Sequence, residues 1–206
     1  YALAMSRPHT HLFEVTVTID GWSEPCLDLV MPSWTPGSYM IREYARHVQD
    51  FAVTSDGHAA RWQKTAKDAW RVETPLGGRV RVSYRVYAHD LTVRTNHLDG
   101  THGFANGAAT FMFLLGRTHE PVTLEVAVPP RWQVATGLEP MGGGNGMFRF
   151  RARDYDELVD CPVECGTHRL LTFDVDGVPH RIALWGGGNE DETRLTEDTR
   201  AIVQAQ

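Results

Sequence analysis

The sequence has little cysteine, no long hydrophobic run and no excess of positive charge. Its 206 residues include only 3 cysteines, too few and of the wrong parity for a disulfide framework. No apolar run approaches the roughly 18–20 residues that a membrane-spanning helix needs. Lys and Arg number 20 against 26 Asp and Glu, giving a net charge of -6. This charge argues against nucleic acid as a partner, because nucleic acid calls for a basic surface.

The motifs of several enzyme classes are also missing. There is no G-x-S-x-G, and the glycine-rich stretches at 142–146 and 186–188 lack P-loop or dinucleotide spacing. His119-Glu120 begins like the zinc motif H-E-x-x-H, but Thr123 replaces the second histidine and Pro121 breaks a helix. Cys161 and Cys165 lack the second cysteine pair that would complete a zinc site, so buried or incidental thiols are the better interpretation. We predict no catalytic residue and no metal site in this chain.

Short alternating segments dominate the first 188 residues. From Leu12 to Asp20 hydrophobic and polar residues alternate, and the same pattern recurs from Val80 to Ala88. About ten such segments, separated by turn signals such as those at 75–78 and 142–146, predict an all-β fold. We expect twisted antiparallel sheets packed in a sandwich-like domain, with one short helical turn at 154–158.

The pattern changes after residue 188. Leu195, Thr199 and Ile202 recur at helical spacing, and acidic residues at 190–192 suit the N-terminal end of a helix dipole. We therefore expect a β-domain at 1–188 and a linker with a short helix at 189–206. Because this helix has no visible C-cap or packing partner, we expect it to begin a further domain that is truncated at Gln206.

Residues 31–44 form the stretch around which the chain is organised. Pro32 and Pro36 each fix a backbone φ angle, and Pro36-Gly37 fits the central positions of a type II turn. Three aromatic residues surround the turn: Trp34, Tyr39 and Tyr44. A stiff aromatic loop is typical of a wall or platform for a ligand or a neighbouring domain. A buried corner of a β-domain fits the same composition equally well.

Ten histidines call for a test of metal binding. His97 and His102 flank a loop that contains Asp99, so a His/Asp/His metal site is one interpretation. An ordinary surface loop is the better one, because loops rich in His, Asp and Gly are common. His9 and His11 lie on one face of a strand, but the sequence identifies no third ligand for them.

Three stretches match a known pattern when they are read in order: 1–15, ending in H-L-F-E-V; 31–39, M-P-S-W-T-P-G-S-Y; and 155–162, Y-D-E-L-V-D-C-P. Together they resemble the N-terminal half of the glycyl aminopeptidase family of zinc metallopeptidases, over nearly the whole chain. The resemblance implies a saddle-shaped β-domain. It also implies that a thermolysin-like catalytic domain with H-E-x-x-H and zinc follows Gln206, often with a PDZ domain behind it. No cofactor is then expected within these 206 residues.

For this chain the resemblance implies a wall of the substrate cleft that helps to recognise the free amine of a peptide. An ammonium group needs carboxylate or amide oxygens as acceptors. The candidate substrate-binding residues are Glu43, Asp99, Asn106 and Tyr39. The partners implied are the peptide substrate and the downstream catalytic domain of the same chain.

A second hypothesis is a free-standing β-sandwich module that binds a peptide or a glycan with Trp34 and Tyr39. An exposed aromatic platform would favour this module, whereas an apolar surface left by a missing domain would favour the peptidase fragment. The compartment stays open between cytoplasmic and periplasmic or secreted.

Overall fold

The structure is a computed structural model that describes residues 1–74 and 78–206. Of the turn predicted at 75–78, the first three residues lie outside the described residues. The strands of the first half are β1 (Ala2–Ala4), β2 (Leu12–Trp22), β3 (Cys26–Val30), β4 (Val48–Ser55), β5 (His58–Ala59), β6 (Trp62–Lys64), β7 (Ala69–Glu73), β8 (Gly78–Tyr87) and β9 (His97–Leu98). Those of the second half are β10 (His102–Ala105), β11 (Phe113–Leu114), β12 (Val122–Ala127), β13 (Gln133–Ala135), β14 (Glu139–Gly144), β15 (Met147–Ala152), β16 (Val163–Gly166), β17 (Arg169–Val175) and β18 (Val178–Leu184).

The helices are few and short in the described residues. Two are α-helices, α1 (Tyr155–Asp160) and α2 (Glu192–Gln204). Short 3-10 turns occupy Pro8–Thr10, Tyr44–His47 and Gly107–Ala109. Helix α1 lies where the sequence predicted a helical turn, and Asp154 caps it by accepting a hydrogen bond from the Glu157 amide at 2.8 Å. No helix of this part of the chain is long and apolar enough to cross a membrane.

The strands assemble into four sheets within the described part of the chain. The largest has the order β14-β15-β12-β1-β2-β8-β4-β5. Two four-stranded sheets have the orders β13-β16-β10-β9 and β11-β3-β7-β6, and β17 pairs with β18 as a hairpin. Strand β1 runs parallel to β12, whereas the other described strand pairs are antiparallel. The predicted all-β, sandwich-like fold of antiparallel sheets is confirmed.

The alternation in β2 and β8 places one face of each strand in the core. Val15 pairs with Tyr84 and Val17 with Val82, and all four side chains are buried. Complete burial of one such side chain contributes about 1.5–3 kcal/mol to folding. On the opposite face of the sheet, the exposed Arg79 and the half-buried Arg85 form ion pairs with Asp20 and Asp50, respectively.

The glycine-rich stretch at 142–146 differs from its prediction as a turn. Strand β14 continues through Gly144, and only Asn145 and Gly146 form the turn to β15. A Cβ at Gly143 would lie 2.4 Å from the carbonyl oxygen of Met147, so glycine is required for the two strands to pair. The glycines therefore serve close strand pairing, which single-sequence patterns do not distinguish from a loop.

The C-terminal part consists of the β17–β18 hairpin and helix α2. Asp191 caps α2 by accepting a hydrogen bond from the Arg194 amide at 3.0 Å. The expectation that this helix has no packing partner is wrong, because α2 lies along β17. Arg169 of β17 forms ion pairs with Glu190 and Glu192 at the start of the helix.

Candidate functional site

The predicted turn in the stretch 31–44 is present. The Ser38 amide donates to the Thr35 carbonyl oxygen at 3.0 Å, and Gly37 has φ 80°, as the third residue of a type II turn requires. A second hydrogen bond, from the Arg42 amide to the Ser33 carbonyl oxygen at 2.7 Å, closes the stretch into a loop. The loop is therefore fixed by its own backbone.

The side chains of this loop form an exposed apolar platform, which we define as Trp34, Tyr39, Met40 and Ile41. Tyr39 is 86% exposed and Trp34 is 48% exposed, and their rings stack with centroids 6.4 Å apart. The interpretation as a buried corner is therefore wrong for these residues, although Tyr44 is buried. Exposed apolar side chains clustered in this way are typical of interaction surfaces.

Buried polar atoms without partners lie next to the platform. The Tyr44 hydroxyl, the Arg42 Nε and the Asn106 Oδ1 are buried and find no hydrogen-bond partner among the described residues. Burial raises the pKa of Tyr44, and the charges of Arg42 and Arg94 act to lower it. Because unpaired buried polar groups are costly, each of these atoms is a candidate for contact with a ligand or another domain.

Asn106, which follows β10, is hydrogen-bonded to the loop between β8 and β9. Its Nδ2 donates to the Val93 carbonyl oxygen at 3.1 Å, next to Arg94. The 3-10 turn Tyr44–His47 contacts the 3-10 turn Gly107–Ala109, which follows Asn106 directly. The stretch 31–44 and the segment after β10 therefore meet at these two turns, and Val93, whose carbonyl oxygen accepts from Asn106, is exposed.

Asn96 fixes this loop, and the sequence analysis missed it. Its Nδ2 donates to the Ala109 carbonyl oxygen at 3.1 Å, and its Oδ1 accepts from the Asn106 amide at 2.8 Å and from the Thr110 hydroxyl at 3.2 Å. The residue is buried. An asparagine in a predicted loop has no periodicity that reports burial, so no sequence signal singled it out.

The predicted site residues fall into two groups. Glu43 directly precedes Tyr44, and its carboxylate lies 3.0 Å from the exposed Lys67 ammonium. Glu43 directly precedes the 3-10 turn Tyr44–His47 and Asn106 directly precedes the 3-10 turn Gly107–Ala109, and these two turns contact each other. Tyr39 belongs to the exposed platform. Asp99 lies at the opposite end of β10 from Asn106, four strand residues away.

Asp99 belongs to a histidine cluster. Its carboxylate, His97 and His102 each offer one ligand atom, and these atoms lie within 4.8 Å of one another. Although burial acts to raise the pKa of Asp99, hydrogen bonds from Thr101, His102 and His97 hold it well below its usual range. Burial lowers the pKa of His102, and the neighbouring charge of His97 lowers it further.

For the cysteines, the sequence predicts buried or incidental thiols. Cys26, Cys161 and Cys165 are free thiols, and Cys165 is buried. Burial raises the pKa values of Cys161 and Cys165, which disfavours the thiolate form that binds metals.

Comparison with solved structures defines the class of protein. A structure of an aminopeptidase N family protein from Idiomarina loihiensis matches with a TM-score of 0.91 and 32% identity, over 98% of this chain and 35% of that one. An M1 zinc metallopeptidase mutant from Deinococcus radiodurans matches with a TM-score of 0.55 and 16% identity, over 98% of this chain and 51% of that one. Yeast leukotriene A4 hydrolase in complex with bestatin matches with a TM-score of 0.52 and 13% identity, over 82% of this chain and 28% of that one. The fold is thus that of a β-domain found within aminopeptidase structures.

The family model for the peptidase M61 N-terminal domain matches residues 1–167. This chain belongs to that family. It spans about a third of the length of the Idiomarina loihiensis protein. A comparison with curated proteins gives no match.

Proposed function

We propose that this chain is the non-catalytic N-terminal domain of a zinc-dependent aminopeptidase similar to the glycyl aminopeptidases. In this role it walls the substrate cleft and binds the N-terminus of the peptide. The observation that carries the proposal is the exposed platform beside three buried polar atoms that lack partners in the described structure. A surface of this kind offers apolar contact and directed hydrogen bonds at one place.

The polar groups of this surface suit the end of a peptide chain. Asn106 Oδ1 and the Glu43 carboxylate accept hydrogen bonds, as an ammonium group requires. The Arg42 Nε and the Tyr44 hydroxyl can donate to the first carbonyl oxygen of the substrate. Tyr39 supplies an aromatic face for the adjoining side chain. Asp99 lies at the other end of β10, and its contribution to substrate binding stays a prediction.

The catalytic chemistry is assigned to residues outside these 206. The chain contains no H-E-x-x-H, so the zinc-binding motif of such peptidases is not among its residues. We place the zinc, and with it the helical catalytic domain, after a β-domain at 1–188, with 189–206 leading into it. A longer parent protein is supported by the shares of the solved chains that match, which are 28% to 51% for the structures named above. A PDZ domain behind the catalytic domain is part of the same proposal.

The test measures kcat/KM of the complete enzyme on glycyl and alanyl peptides with a free amine and on their N-acetylated forms. We expect Asn106→Ala and Glu43→Gln each to lower kcat/KM for free-amine peptides by about 10–100-fold, the worth of a hydrogen bond to a charged group. Cleavage of the acetylated peptides should be unaffected. Glu73→Gln, at the exposed last residue of β7, is the matched control. Equal losses on free and acetylated peptides would overturn the assignment of the amine site.

The exposed stack of Trp34 on Tyr39 favours one alternative, a free-standing module that binds a peptide or a glycan. Saturable binding of a glycan or an internal peptide to the 206-residue chain, lost in Trp34→Ala, would support the module. Binding only of peptides with a free N-terminus would support the aminopeptidase domain.

A further inference from the structure

The histidine cluster at the β9–β10 hairpin has the geometry of a metal site. His97 Nε2 lies 3.3 Å from Asp99 Oδ2. Ligand atoms around a tetrahedral Zn²⁺ with bonds of about 2.0–2.1 Å lie about 3.3–3.4 Å apart, so this pair already has the required spacing. A ring nitrogen of His102 completes a set of three atoms within 4.8 Å.

The carboxylate of Asp99 is oriented by its neighbours. Its Oδ1 accepts from the Thr101 amide at 2.7 Å, the Thr101 hydroxyl at 2.6 Å and the His102 amide at 3.1 Å. Three donors occupy Oδ1, so Oδ2 is the oxygen that remains for a cation. Metal-ligating carboxylates are commonly held in this way by outer hydrogen bonds.

His102 provides an independent indication of a ligand. The residue is only 3% exposed, and its Nδ1 has no hydrogen-bond partner in the described part of the chain. Its ring lies between His97, at a centroid distance of 4.7 Å, and Trp185, which stacks on it at 3.8 Å and 19°. A metal ion bound through Nδ1 would give this buried imidazole nitrogen the polar partner that the described part of the chain does not supply.

From these contacts we infer that His97, Asp99 and His102 bind one divalent transition metal ion, for which we take Zn²⁺. Two imidazoles and one carboxylate suit Zn²⁺ or Co²⁺ rather than Ca²⁺ or Mg²⁺, which prefer oxygen ligands. The ion cross-links the β9–β10 hairpin. Through the Trp185 stack it also fastens the β17–β18 hairpin to the main body.

The experiment titrates the 206-residue chain, freed of metal by a chelator, with Zn²⁺ by calorimetry and with Co²⁺ by visible absorption. We expect one ion per chain. His97→Gln, Asp99→Asn and His102→Gln should each weaken binding at least tenfold. His89→Gln removes the exposed ring that stacks on His97 without entering the triad, and His58→Gln removes a remote exposed histidine. Both controls should change the affinity less than twofold.

Two results would overturn the inference. The first is the absence of saturable Zn²⁺ uptake by the wild-type chain. The second is an equal loss of affinity in the two controls and in the variants of His97, Asp99 and His102, which indicates adsorption to surface histidines. Because His102 is buried and its replacement can prevent folding, imidazole nitrogen resonances of the wild-type chain provide a second readout. Zn²⁺ should shift the resonances of His97 and His102 most, and a spectrum in which these two do not move contradicts the site.

Discussion

Glu164 is a carboxyl group on strand β16 that forms no ion pair within the described part of the chain. It pairs in register with Phe104 of β10 and Ala135 of β13, and its Oε1 is buried with no hydrogen-bond partner among the described residues. Burial raises the pKa of Glu164 from 4.5 to about 7. Desolvation alone accounts for this direction, because the charged form loses water and gains no compensating contact.

This residue should make the stability of the chain fall between pH 4.5 and about 7. In that window the folded state keeps a proton that the unfolded state has released, so raising the pH favours unfolding. The full shift corresponds to about 3 kcal/mol, and partial exposure of the side chain reduces the expected effect to about 1–2 kcal/mol. As the pH rises from 4.5 to 8, the free energy of unfolding of Glu164→Gln, measured with urea, should increase by this amount relative to that of the wild type. The exposed Glu139→Gln is the control, and parallel stability curves for wild type and Glu164→Gln would contradict the prediction.

At the scale of single residues, the sequence predicted a role for Asn106 but not for Asn96. An amide oxygen can accept from an amine, which makes Asn106 a candidate from the sequence, and the structure places it directly before the 3-10 turn that contacts Tyr44–His47. Asn96, which holds Asn106 in place, was not found. Its role depends on three hydrogen bonds to residues 10 to 14 positions away, and such pairings are created by the fold rather than by a local pattern.

At the scale of elements, the loop at 31–44 depends on one glycine. Gly37 has φ 80°, and a Cβ there would meet no atom within 4 Å. Gly37→Ala should therefore destabilise the chain only through backbone strain, by about 1 kcal/mol. Gly187→Ala is the matched control, because Gly187 also has open space around it but is not in the left-handed region. Urea unfolding gives the free energy of unfolding of both variants. An equal loss of stability in the two would show that the turn does not require glycine.

The elements that the sequence predicted are those with long periodic patterns. Strands β2 and β8 have 11 and 10 residues, and their alternation was sufficient to identify them. Strands β5 and β9 have two residues each, which is too short for a period to be visible. Strand β14 was read as a loop because its glycines are needed for close approach to β15, a contact that depends on the partner strand.

At the scale of the whole molecule, the C-terminal hairpin and α2 are joined to the β-core by few contacts. Trp185 stacks on His102, Gln133 donates to the His168 carbonyl oxygen at 3.4 Å, and Arg181 donates to the Thr136 carbonyl oxygen at 3.5 Å. Helix α2 has no buried residue and lies against β17. Helix α1, in contrast, buries Tyr155 and Leu158 in the core.

Because α1 buries residues in the core and α2 does not, amide hydrogen exchange should differ between the parts of the molecule. Amides in β2 and β8, at the centre of the eight-stranded sheet, should exchange only through global unfolding, with protection factors of about 10⁴ or more. Amides in α2 should open locally, with protection of about 10–100-fold, because the helix itself has no buried residue. Helix α1 is the matched control, since it is shorter than α2 and should nevertheless be better protected. Equal protection of α2 and β8 would show instead that the C-terminal helix unfolds with the core as one cooperative unit.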